Sequence, residues 1–453
     1  MTTIISRRNF LRIGCCGVTT LALDGVMSRF GLMNALAAAT SDYKALVCVF
    51  LFGGNDANNM VIPMDSRYAT YQSIRGPLAL AQGTLLPIAT KSNVPYGLHP
   101  GLPEIQSLYN SKAAAIIANV GTLVEPTTRN DYQNVANFPL PNNLFSHSDQ
   151  QSEWQSGMQD AKSGASGWGG RIADIMQPSG AMLPYGISVA GNSLFVTGQT
   201  TTPATLVPGS TGLGLAGSNS SAASVARDAA LQQILNFDTG FSLIQSANGI
   251  LSNGLQVSKV LNQAVSGTST LKTVFPATDL GNQMQQIARI IQVRQTLGVT
   301  RQIFFAAIGG FDTHSAELAT QASLYPQVSG ALAALYAATQ ELGVDSDVAS
   351  FTMSDFSRTF QPSSTDGTDH AWGSHHMVIG TGVVGGDMYG AFPTLALNTG
   401  DDANDRGVWI PTTSLAQYFS PLAAWFGIGA TDMPTIFPNI GNFSGVPALG
   451  FMG

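Results

Sequence analysis

The six histidines of this 453-residue chain fall in a few short polar clusters. His314 lies in FDTH, and His370, His375 and His376 lie in DHAWGSHH. His147 lies in FSHSD and His99 in GLHP, while residues 148–313 contain none. Carboxylates accompany them: Asp312 two residues before His314, Asp355 in SDFSR, and Asp56 in GGNDANN. Imidazoles and carboxylates hold divalent metals and move protons near neutral pH. Gathered at turns in a chain with only 10% charged residues, they point to one polar site on an apolar scaffold.

The scaffold can be outlined from the apolar runs. Residues 45–52 (ALVCVFLF), 113–120 (AAAIIANV), 302–308 (QIFFAAI) and 348–353 (VASFTM) read as strands buried on both faces, with another near 377–380. Helical periodicity covers 100–109, 148–158, 167–176, 225–265, 280–297 and 328–342. Strand, small-residue turn and helix recur, so the expected fold is α/β, a doubly wound, mainly parallel sheet. Ligands bind such sheets at the carboxyl ends of the strands. Asp56, Asp312 with His314, and Asp355 each follow a strand, and Ser146 and His147 precede a helix. They are expected at one sheet edge.

Carboxylates and imidazoles without thiolates suit Zn²⁺, Mn²⁺ or Mg²⁺, as one ion or two, in a metal-assisted hydrolase. The expected ligands are Asp56, Asp312, His314, Asp355, His370 and His376. Adjacent His375 and His376 cannot easily serve one metal from the same face, so one of them is structural. Ser146, at a helix N-terminus that stabilises anions, is the candidate nucleophile, with His147 beside it. Arg358 is placed to bind an anionic ester. Each residue also has a plain structural alternative: a turn for Asp56 and Asp312, and helix caps for Asp355 and Ser146.

The N-terminus reads SRRNFL, then an apolar run from Ile13 to Leu23, then small residues at 35–39. This is the pattern of a twin-arginine export signal over residues 1–39, which implies the Tat translocase as partner and a periplasmic or extracellular destination. The run is too short for a stable membrane span. Cleavage removes Cys15 and Cys16 and leaves Cys48 alone, so an internal disulfide is impossible. The signal carries four Arg and one Asp, so a whole-chain charge of −7 becomes about −10 in the mature chain. With no basic stripe, nucleic acid is not the expected partner. Residues 40–453 are expected to form one domain. Its Gly/Ser/Thr-rich stretch at 197–224 reads as a loop, and the GxGxxG-like run at 212–217 follows no strand.

The order of these motifs resembles a bacterial family, the domain-of-unknown-function 1501 proteins, which are twin-arginine-exported and similar to the alkaline phosphatase/sulfatase superfamily. The matching pieces are GGNDANN at 53–59, LHP at 98–100, Ser146-His147 with Trp154 and Gly157, GWGGR at 167–171 and GGFDTH at 309–314. SDFSRT at 354–359, DHAWGSHH at 369–376 and IPTTS at 410–414 before Trp425-Phe426-Gly427 complete the set. The resemblance implies an alkaline-phosphatase-like core. It also implies a two-metal site in which Asp56 is the first Asp, Asp312 and His314 the pair, Asp355 the later Asp, and His370 or His376 the late His. The chain departs from that pattern in Phe356 after Asp355 and in the short Asp312-x-His314 spacing. The function expected is an exported hydrolase of phosphate or sulfate esters. The alternative is a non-catalytic exported binding protein on the same fold.

Overall fold

The computed structural model describes residues 42–453, except 135, 137, 160–164, 180, 182, 207–220, 238, 239, 364, 365, 446 and 447. The expected export signal with Cys15 and Cys16, and the run at 212–217, lie outside the described residues.

Twelve strands are described: β1 (Lys44–Leu51), β2 (Val61–Pro63), β3 (Leu86–Ala89), β4 (Pro95–Leu98), β5 (Ala114–Gly121), β6 (Gly186–Ser188), β7 (Ala204–Thr205), β8 (Arg301–Ile308), β9 (Val348–Ser354), β10 (Ser374–Ile379), β11 (Met388–Tyr389) and β12 (Thr413–Ser414). The main sheet runs β11-β5-β10-β9-β1-β8-β6-β7, with β12 also on the free edge of β5. It is mixed but mostly parallel. β10 alone runs antiparallel to its neighbours β5 and β9. β2, β4 and β3 form a separate small antiparallel sheet.

Side-chain alternation explains why β1 is apolar throughout. Ala45, Val47, Val49 and Leu51 enter one core, packed by the helices Pro103–Asn110, Asp279–Gln292 and Glu317–Glu341. Leu46, Cys48 and Phe50 enter the other, beneath the helices His147–Ser156, Trp168–Met176 and Leu415–Phe426. Helices therefore cover both faces, as the repeating pattern requires. Cys48 is a buried free thiol whose pKa burial pushes well up.

Some expected elements differ. The helix expected over 225–265 is two, Ala222–Leu235 and Ser242–Ser266, with the chain leaving the first at Asn236. The stretch at 197–224 is not wholly loop: Ala204 and Thr205 pair with β6, and a helix starts at Ala222. The helix ending at Glu341 begins at Glu317 and runs through Pro326, a residue that ordinarily breaks a helix interior. No helix among the described residues is long and apolar enough to cross a membrane.

Three central strands aim at the site. β9, β1 and β8 are adjacent and parallel, with Leu51 level with both Ile308 and Ser354. The chain after β1 turns at Gly53, which has a left-handed φ of 115°. A Cβ there would overlap the Asp312 backbone nitrogen, so glycine lets the β1 and β8 turns touch. The loop after β9 folds back on itself. The Thr359 amide donates to Asp369 O (2.9 Å) and Ala371 to Ser357 O (2.9 Å), with Arg358 bridged to His370. That ladder returns His370 to the strand ends.

Candidate metal centre

Asp312 stands at the middle of the site. Its Oδ1 lies 3.2 Å from His314 Nε2, 3.5 Å from His370 Nε2 and 3.5 Å from His147 Nε2. His314 Nε2 and His370 Nε2 are 3.0 Å apart. Candidate ligand atoms of His147, Asp312 and His370 all fall within 4.8 Å of one another, a cluster found at one place among the described residues. The site is reachable, since the Asp312 and His314 side chains are each 48% exposed.

Each imidazole is held from behind by its other nitrogen. His147 Nδ1 is 2.6 Å from Asp355 Oδ2, His370 Nδ1 is 2.7 Å from the Phe145 carbonyl, and His314 Nδ1 is 3.3 Å from Asp369 Oδ1. Carboxylates and carbonyls only accept, so all three Nδ1 atoms carry hydrogen. In the neutral rings, the three Nε2 atoms then present lone pairs. Lone pairs converging on a carboxylate oxygen repel one another unless a cation or protons intervene. His147 Nε2 is buried with no hydrogen-bonding partner.

The donor set fits a metal. Donors bonded at about 2.0–2.2 Å to one tetrahedral ion sit roughly 3.3 Å apart, close to the 3.2–3.5 Å between Asp312 Oδ1 and the three Nε2 atoms; the group within 4.8 Å is His147, Asp312 and His370. Imidazoles oriented through Nδ1 by carboxylate or carbonyl are the usual supports of metal-binding histidine. The electrostatics agree. The Asp355 carboxylate hydrogen-bonded to His147 raises its pKa, against burial and helped by Asp312. A field that favours imidazolium there favours any cation there. His370 is shifted down, chiefly by burial. Burial works to raise the Asp312 pKa, but Arg358, His147 and His314 outweigh it and hold the carboxyl low.

The supporting shell follows from local structure. His147 and Gln151 are one turn apart on the helix His147–Ser156, on the same face. Both reach Asp355 Oδ2, Gln151 Nε2 at 2.8 Å, while the Gly53 amide donates to Oδ1 at 3.1 Å. Phe356 packs against His147 and His370, with ring centroids 4.9 and 4.6 Å away. Arg406 Nη1 donates to Asp369 Oδ2 at 2.6 Å, bracing the carboxylate behind His314.

The sequence candidates therefore separate. Asp312, His314 and His370 come together as expected ligands. His147, expected to act in catalysis, joins them. Asp355, expected as a ligand, sits one layer back with both oxygens engaged. Arg358, expected to meet substrate, is fully buried: Nη1 donates to Asp312 Oδ1 at 2.9 Å and Nη2 to Thr368 O at 2.7 Å. It positions Asp312. Ser146 precedes His147 at the helix start, and its hydroxyl lies 2.5 Å from Asp149 Oδ2.

Asp56 and His376 are not brought to the cluster. Asp56 is buried at the start of a short helix and paired with Arg75. His376 packs against Trp154 and Tyr418 in the core, with Nδ1 3.3 Å from Thr352 Oγ1. His375 lies on the opposite sheet face against Phe392 and accepts from the Asn119 amide at 3.0 Å. Burial drives both pKa values down to about 3, so both rings stay neutral. His99 accepts from the Gly101 amide at 2.9 Å, a turn role.

Sequence reasoning missed Gln151, Asp369, Arg75 and Glu317. Gln151 was findable, four residues after His147 on an expected helix. Asp369 stood beside His370. Nothing in the local sequence marks Arg75 or Glu317 as buried.

Fold and site together define an α/β protein with a histidine and carboxylate cluster at the ends of its parallel strands. The chain belongs to the family described as protein of unknown function DUF1501, whose model matches residues 43–406. No curated protein matches the sequence. Among solved structures the chain is similar to Ps i-CgsB at 9% identity, over 88% of this chain and 77% of that one, with a TM-score of 0.34. It is also similar to the PsFucS1 sulfatase from Pseudoalteromonas sp. at 9% identity, over 88% and 71%, with a TM-score of 0.35.

Proposed function

We propose that His147, His314, His370 and Asp312 bind a divalent cation and that the protein is an exported hydrolase of phosphate or sulfate esters. The observation that carries this reading is the convergence of three Nε2 atoms on Asp312 Oδ1, each with its Nδ1 already satisfied. Three imidazoles suit Zn²⁺ better than Mg²⁺, which prefers oxygen ligands. When bound, the cation would supply Lewis-acid polarisation of an ester oxygen.

The chain's own groups supply the rest. Arg358 and Asp355 fix Asp312 and His147. Ser146, at the N-terminus of a ten-residue helix, is the nucleophile. As its oxygen bonds to phosphorus or sulfur and the ester bond to the alcohol breaks, its proton passes to Asp149 and the departing alkoxide takes a proton from water. In the second step water attacks, phosphate or sulfate is released, and Ser146 regains the proton from Asp149. Residues 1–39 direct export through the Tat translocase of an already folded chain to the periplasm or beyond.

The test is metal analysis of the purified protein with a screen of aryl phosphate and aryl sulfate esters, repeated for Asp312→Asn and His370→Ala. Bound metal and turnover, both lost in the variants, support the reading. A chain that stays metal-free after incubation with Zn²⁺ and Mn²⁺ refutes it. Metal without turnover on any ester would leave a non-catalytic binding protein.

A further inference from the structure

The carboxylate that follows β1 is committed away from the histidine cluster. Asp56 Oδ1 accepts from the Asn58 amide at 3.0 Å and from Asn58 Nδ2 at 2.8 Å, and Oδ2 lies 2.5 Å from Arg75 Nη2. The same Nη2 donates to Glu317 Oε1 at 2.9 Å. Arg75 Nη1 adds the Thr359 and Phe360 carbonyls. All three ionisable side chains are 0% exposed.

The group balances its charge without a metal, although Arg75 Nε is buried with no hydrogen-bonding partner. One guanidinium faces two buried carboxylates, so charge balances when one carboxyl keeps its proton. Glu317 is that group: burial and the neighbouring Asp56 push its pKa up to about 9, and its Oε2 pairs with Thr368 Oγ1. Burial works to raise the Asp56 pKa, but Arg75 together with the hydrogen bonds from Glu317 and Asn58 outweighs it and holds the carboxyl low. A divalent ion at Asp56 would have to displace Arg75 from a dry pocket or sit beside its positive charge. The histidine cluster is the opposite case: His147 Nε2 is buried with no hydrogen-bonding partner, and the Asp312 and His314 side chains leave the site open to solvent.

We infer that the centre takes one divalent cation, and that the Arg75 guanidinium serves Asp56 in place of a second. This rests on the reading of the histidine cluster as a metal centre. It departs from the two-metal arrangement that the sequence resemblance implies.

The test is stoichiometry. Full-length protein is stripped of metal, then titrated calorimetrically with Zn²⁺ and separately with Mn²⁺, and metal per chain is measured after dialysis. The expected result is one equivalent. Asp56→Asn should keep that equivalent with affinity within about threefold, because the amide still accepts from Arg75; Asp312→Asn should lose it. Two tight equivalents in the wild type, or a loss of bound metal in Asp56→Asn, overturns the inference and leaves the metal centre standing. Zero equivalents overturns both. If Asp56→Asn does not fold, the wild-type stoichiometry decides alone.

Discussion

His147 and Asp355 are joined by a 2.6 Å hydrogen bond from Nδ1 to Oδ2, and this bond fixes which way His147 faces. Asp355 is buried and braced by the Gly53 amide and Gln151, so the imidazole cannot follow a wandering carboxylate. The consequence is a Nε2 aimed at Asp312. Asp355→Asn keeps the shape of the side chain and removes its charge. Losses of ~10–100-fold in metal affinity are typical for such outer partners, and a loss of that size is expected here with the fold intact. Competition with a chromophoric chelator measures it. An unchanged affinity would mean that His147 is not a ligand.

The buried Asp56, Arg75 and Glu317 group makes stability depend on pH in one direction. Glu317 has its folded pKa raised to about 9, so between its unfolded value and that point the folded state binds the extra proton. Its contribution is fully present below pH 4.5 and is lost as pH rises through about 9. The slope has an upper limit of about 1.4 kcal/mol per pH unit. Asp56 acts oppositely: its lowered pKa gives stability above the ordinary value of 3.8 that is lost on acidification. Glu317→Gln should flatten the fall in urea midpoint between pH 5 and pH 9. Parallel curves for the two proteins would show that Glu317 is ionised in the fold. Arg75→Ala, which strands the carboxylates, should cost about 3–5 kcal/mol.

Gly53 is the contact point between the β1 turn and Asp312. Its φ of 115° and the overlap a Cβ would make with the Asp312 amide act together. Gly53→Ala is therefore expected to destabilise by about 1–3 kcal/mol. It should also weaken metal binding, because the β8 turn must retreat. Gly191→Ala is the control: it too has positive φ, 79°, but nothing lies within 4 Å of its Cβ position. Calorimetric melting with metal titration separates strain from displacement. Equal metal affinity in the two variants would show that the close approach at Gly53 does not set the site.

The strands around the site were legible because they are apolar on both faces and each ends in small residues. β1, β8 and β9 fall within a residue or two of ALVCVFLF, QIFFAAI and VASFTM. A parallel sheet was enough to expect Asp312, His314 and Asp355 at one edge; which strands neighbour one another was not read. The local sequence could not say which carboxylate faces outward. Asp56 and Asp355 look like Asp312 in a string of letters, but a buried Arg75 claims one and His147 with Gln151 the other. Nor does adjacency in sequence separate His375 from His376. Strand alternation sends them to opposite faces of β10, both away from the cluster. The small sheet of β2, β4 and β3 went unread because its strands are short and carry Pro63, Pro87 and Pro95.

Ser146 is the remaining link between the site and a reaction. Its hydroxyl is engaged by Asp149 Oδ2 at 2.5 Å and lies near Ser148 Oγ at 3.2 Å, and it makes no side-chain cap bond to the helix it begins. A cap serine oxygen would be expected to accept from the backbone amides of the first turn; this hydroxyl instead donates to a carboxylate. Ser146→Ala should leave metal binding and melting temperature close to wild type and lower kcat at least ~100-fold, the scale of losing a positioned nucleophile or its base. Asp149→Asn should lower kcat too, with a smaller loss that lessens as pH rises if the carboxylate accepts the serine proton. A Ser146→Ala variant that turns over normally would assign the attack to water, and a loss of metal in the same variant would assign Ser146 to the architecture of the His147 turn.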